Sequence, residues 1–117
     1  MSIFCVEAAI KVEELKKRAK NQFKDRLLKA VVDVEKGIMA IGGAMYCDEE
    51  SVLLQKGSSQ WNLWGINIYH EKVGEEFIEY DSMINLRPSQ GNYSRAVEDP
   101  QIREKIIQIV GNLVDQS

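Results

Sequence analysis

The chain holds only two cysteines, two prolines and one histidine in 117 residues, and each scarcity removes a chemistry. Cys5 and Cys47 make no CxxC pair and no dense disulfide framework, so both are expected to be reduced. With His70 as the single histidine, a standard zinc site has no ligand set, and a Ser-His-Asp or Cys-His apparatus would have to be built on that one residue. No run approaches the roughly 18 apolar residues of a membrane span, and Met1–Ile10 lacks the basic start of a secretory signal. A cytoplasmic protein with no membrane partner is expected. The sequence also has no P-loop, no GxGxxG after a strand, no HExxH, no EF-hand loop and no GxSxG. Common nucleotide-dependent and hydrolytic families are thereby disfavoured, and neither a cofactor nor a metal is expected.

What is present fits one globular domain spanning residues 1–117, with 44% apolar and 28% charged residues. The net charge of −3 disfavours nucleic acid as an obligate partner. It hides an asymmetry: Lys11–Lys29 carries eight basic and three acidic residues, so a basic segment sits on an acidic body. Such a segment suits a solvated helix face or an acidic partner.

Hydrophobic periodicity supplies the elements. Ser2–Ile10 reads as an edge strand, and Val12, Leu15, Ala19 and Phe23 line one face of a helix expected to end near Asp25. Lys29–Glu35 alternates with period two, Glu35-Lys36-Gly37 supplies a turn, and Ile38–Met45 returns as an antiparallel strand. Gly42-Gly43 marks a bulge or a close approach of another backbone. Asp48-Glu49-Glu50 begins a short helix closed by Lys56-Gly57. Leu63–Tyr69 and Phe77–Leu86 alternate and are expected to pair as a hairpin across a turn holding a solvated His70. Asp99-Pro100 opens the last helix, striped by Ile102, Ile106, Ile109, Val110 and Leu113. The expected fold class is α+β: a four- to five-stranded, mainly antiparallel sheet with helices packed on one face.

The strings Glu35-Lys36-Gly37-Ile38-Met39-Ala40, Asp48-Glu49-Glu50, Leu63-Trp64-Gly65-Ile66-Asn67 and Asp81–Asn92, followed by Ser94-Arg95 and Glu98-Asp99-Pro100, carry a resemblance. From about residue 12 to the end, the chain resembles a family of small prokaryotic proteins classed as a domain of unknown function. The resemblance implies no reaction or ligand. Members often carry Glu and His where this chain has Ala44 and Tyr46, so a chemistry resting on those groups is not expected here.

Two constellations are candidates for chemistry. The long polar connection Arg87–Glu98 contains Arg87, Ser89, Gln90, Asn92, Ser94 and Arg95, and its guanidiniums, hydroxyls and Gly91 backbone suit a small anionic ligand. The same groups equally suit a loop held by its own hydrogen bonds and ion pairs. The second is the polar face of the fourth strand, where Glu79, Asp81 and Asn85 are joined by Asn67. Carboxylates there suit a general base or a hard cation, and a solvated outer face is the simpler role. The first expectation for function is small-ligand or anion binding through Arg87, Ser89, Gln90, Asn92, Ser94 and Arg95 with Asp81 and Asn85 beside them, with a homodimer completing the pocket. A protein-interaction module and an enzyme using Asp81 or Glu79 with Arg87 are the alternatives.

Overall fold

The structure, a computed structural model, describes residues 3–19 and 27–116. The expected helix end near Asp25 therefore lies outside the described residues. The chain runs β1 (Phe4–Val6), β2 (Ile10–Lys11), α1 (Val12–Ala19), β3 (Leu28–Asp33), β4 (Ile38–Ile41), α2 (Tyr46–Gln55), β5 (Leu63–Ile68), β6 (Ile78–Glu79), α3 (Pro100–Leu113) and β7 (Val114–Asp115).

Five strands form one antiparallel sheet in the order β1-β4-β3-β5-β6, with β1 on an edge as its sequence suggests. A short parallel pair, β2 with β7, ties the two ends of the described chain together. The β3–β4 hairpin turns on Asp33, whose carboxylate accepts from the Glu35 and Lys36 amides at 2.9 Å and from Ser58 Oγ at 2.6 Å. Gly37 completes the turn at φ 71°, a conformation that favours glycine.

Period-two alternation divides the core. Ala30, Val32, Met39, Ile41, Trp64, Ile66 and Ile68 pack with Leu15 and Ala19 of α1 and with Ile106, Val110 and Leu113 of α3. The intervening Val31, Ala40 and Leu63 meet Leu53 of α2 and Ile84. The sheet is α+β as expected, and its helical cover is two-sided: α1 and α3 share one face while α2 lies on the other. Such double coverage explains why β3 and β5 are buried nearly throughout.

α2 begins two residues before the expected Asp48 start, with Met45 as N-cap and no side-chain cap. It ends as a Schellman motif, with Ser58 N donating to Leu53 O and Gly57 N to Leu54 O, and Gly57 at φ 96°. α3 opens as its sequence specifies, Asp99 accepting from the Gln101 amide ahead of Pro100. His70, expected as solvated, sits in the turn after β5 but is buried.

The hairpin partner of β5 is much shorter than Phe77–Leu86. Only Ile78 and Glu79 pair, opposite Ile68 and Asn67. The chain then leaves the sheet, and the Asn85 side chain takes over: Oδ1 accepts from Gly65 N at 2.8 Å and Nδ2 donates to Gly65 O at 2.9 Å. Ser82 lies so close to Gly65 that a Cβ there would collide with its hydroxyl. A side-chain amide thus satisfies the backbone groups that a neighbouring strand would otherwise occupy.

Candidate functional site

The Arg87–Glu98 connection is built around Asn92. Its amide nitrogen reaches the carbonyls of Asn85, Ser94 and Ala96 at 2.6, 3.1 and 2.7 Å, and its oxygen accepts from Glu98 N at 2.9 Å. Arg87 and Asn92 exchange backbone hydrogen bonds across Pro88-Ser89-Gln90-Gly91, with Gly91 at φ 76°. Ser94 Oγ accepts from Ala96 N, and the Glu98 carboxylate accepts from Tyr93 N. Asn85, Asn92 and Ser94 are therefore engaged by the loop's own backbone.

Arg87 is drawn inward. Its Nε donates to Ile84 O at 2.8 Å, Nη2 donates to Leu63 O, and Nη1 reaches Gln90 Oε1 at 3.4 Å. The guanidinium stacks 4.8 Å from the Trp64 ring centroid, with Glu50 Oε2 3.9 Å from Nη2. Burial lowers its pKa and Glu50 opposes the shift.

Arg87, Ser89 and Gln90 nevertheless converge on one cleft of about 450 Å³, lined also by Glu50, Gln60, Trp61, Met83, Ile84 and Leu86. Trp61 is 64% and Met83 61% exposed, large apolar areas for a surface. Gln90 Nε2 donates to Trp61 O at 3.1 Å, which fixes the two walls relative to each other. Glu50 Oε2 is buried with no hydrogen-bond partner among the described residues.

A second polar group lies four residues along β5, about 13 Å away at strand rise. Lys29, Asn67 and Glu79 form one rung across β3, β5 and β6. Asn67 Nδ2 donates to Glu79 Oε1 at 2.7 Å, Tyr69 OH donates to the same oxygen at 3.0 Å, and Tyr46 OH bonds Asn67 Oδ1. Tyr46 also reaches Asp81 O at 3.1 Å, and Lys29 Nζ lies 4.9 Å from its ring centroid. Asp81 pairs with Arg95 at 2.7 Å. Burial, then the carboxylates of Glu49, Asp81 and Glu79, raise the Tyr46 pKa. Beside this row, Glu49 packs against Gly43 with 0% exposure and, among the described residues, no hydrogen bond to either carboxylate oxygen. Burial pushes its pKa up to about 10 against the opposing pull of Lys29. At Gly43 the close approach is made by this side chain, not by the second backbone that the Gly42-Gly43 pair suggested.

The structure thus divides the sequence candidates. Arg87, Ser89 and Gln90 meet at the cleft; Asn67, Glu79 and Asp81 meet on the rung, joined by Arg95; Asn85 and Asn92 brace the backbone between. Among the described residues, no three His, Cys, Asp or Glu side chains are grouped to hold a metal ion. Nor is any described helix long and apolar enough to cross a membrane. Trp61, Glu50, Tyr46 and Glu49 are not among the site residues expected from the sequence, where Glu49 and Glu50 fit an acidic helix start and Trp61 fits a packed aromatic; the available signals were that acidic run and an aromatic in a polar loop out of phase with β5.

A family model described as "Protein of unknown function (DUF5674)" matches residues 4–113. No curated protein and no solved structure matches.

Proposed function

The chain belongs to the DUF5674 family, whose description assigns no activity, and from that premise we propose that the domain binds a small planar molecule bearing a hydrogen-bond donor, in the cleft beside Arg87. The observation that carries this reading is the presence in one cleft of an exposed Trp61 and of Glu50, whose buried Oε2 accepts no hydrogen bond among the described residues and has Arg87 Nη2 only at ion-pair distance, 3.9 Å. An indole face stacks planar ligands, and an unsatisfied buried acceptor favours any ligand that brings an N–H or O–H to it. Gln60, Ser89 and Gln90 supply adaptable polar contacts at the rim. The volume falls within the range of about 300–1,000 Å³ typical of small-molecule sites. Because Arg87 already donates to two carbonyls and has Glu50 beside it, the expectation of a simple anion narrows to a ligand with a donor for Glu50.

A panel of amino-substituted heterocycles and primary amides tests this through tryptophan fluorescence and thermal shift. A ligand at about 100 times its Kd adds roughly 2.7 kcal/mol, several degrees for a domain of this size. The exposed Trp61 emission should quench while the buried Trp64 component stays, and Trp61→Ala or Glu50→Gln should abolish the shift without lowering the unliganded melting point. Shifts that survive both substitutions would remove the cleft as the site.

The same Trp61, Met83 and Leu86 surface favours a second reading, docking of another protein, since Trp, Met and Arg are enriched at interfaces. The basic first helix supports that reading less, because Lys16 and Arg18 are already matched by Glu13 and Glu14.

A further inference from the structure

On the opposite side of the sheet from α2, a groove of about 760 Å³ runs between β6 and α3. Phe77, Val110 and Val114 are buried at its base, and Ile78, Tyr80 and Ile107 line it higher up. Three features of α3 along this groove are unexplained by the folded chain alone. Ile107 is 56% exposed, a large aliphatic knob. Gly111, one turn on, lies inside a helix, where glycine costs about 1 kcal/mol relative to alanine, yet beyond the helix's own backbone no atom of the described residues stands within 4 Å of a Cβ placed there. The last turn of α3 has no basic residue to meet its negative end, while Arg103, on the groove, makes no ion pair among the described residues.

We propose that a second copy of this chain covers the groove, the two α3 helices crossing antiparallel about a two-fold axis that passes midway between Ile107 and Gly111 on the exposed face of α3. One register joins all three features. Positions 107 and 111 are equidistant from that axis, so Ile107 of each protomer enters the space over the partner's Gly111, and the small residue lets the helices approach closely. At the same register Arg103 reaches the C-terminal turn of the partner's α3, where a cation is favourable. Knob, hole, cation and helix end all lie on one surface, which is what an isologous interface requires. At 14 residues, α3 is about 21 Å long, enough for this contact to extend over several turns.

Light scattering coupled to size-exclusion chromatography of the whole chain, over a dilution series, tests the proposal. The expected result is a species of twice the 13.3 kDa chain mass that dissociates on dilution. Ile107→Glu and Gly111→Leu should each give monomer with unchanged circular dichroism, because one position is exposed and the other has open space. Arg103→Glu should raise the dissociation constant about ten-fold, the scale of a charge interaction at an interface. A wild-type chain that stays monomeric at its highest concentration overturns the proposal. So does a dimer that persists in both Ile107→Glu and Gly111→Leu.

Discussion

Asn85 takes the place of a strand, and Glu49 takes on a cost, and both facts concern single side chains. The Asn85 amide matches the backbone groups of Gly65 atom for atom, so β5 stays satisfied after β6 ends. Glu49 is the opposite case, a carboxyl enclosed without a donor and held protonated up to about pH 10. The unfolded chain loses that proton near pH 4.5, so between these values the folded state binds up to one proton more. Its contribution is therefore fully present below the unfolded pKa and declines as pH rises towards about 10. Glu49→Gln should raise stability at pH 7 by up to roughly 3 kcal/mol and change little at pH 4, as read from urea unfolding at both pH values. Parallel pH profiles for the two proteins would mean that Glu49 ionises normally in the fold.

At the scale of elements, the Arg87–Glu98 connection is a compact structure of its own, with the backbone bridge at Arg87 and Asn92 and the Asn92 side chain at its centre. Replacing a buried amide that serves several backbone groups leaves those groups unpaired. Asn92→Ala should cost about 2–3 kcal/mol. If the cleft reading is right, it should also weaken ligand binding, because Ser89 and Gln90 ride on the same turn; calorimetry on the folded variant separates the two effects. The sequence located this connection and its polar groups. It could not tell which of them face inward, since Arg87, Asn92 and Arg95 are all polar and only the path of the backbone assigns their partners. The hairpin shows the same limit: Phe77–Leu86 alternates well, but Ser82 against Gly65 and the Asn85 amide end the pairing after two residues.

For the whole molecule, the cleft takes its helical wall from α2 and the groove takes its wall from α3, helices that cover opposite faces of the sheet. Ligand and partner should thus act independently. In the dimer, melting temperature should rise with protein concentration by mass action, and Ile107→Glu should remove that dependence while leaving a ligand shift at the cleft intact. Loss of both together would show that the two surfaces are coupled.

Periodicity and turn chemistry determined the strands β3, β4 and β5, the Gly37 turn, the Asp99-Pro100 start of α3 and its buried stripe, because these depend on residues close in the chain. The α+β class followed from their order. Only the tertiary structure decided that α2 covers the second sheet face, that Glu49 lies buried beside Tyr46, that Trp61 and Glu50 meet Arg87, and that Gly111 opens onto a groove. Each of those depends on how the layers pack, which sets both the contacts between residues distant in sequence and which side chains of one helix are enclosed, rather than on any local preference.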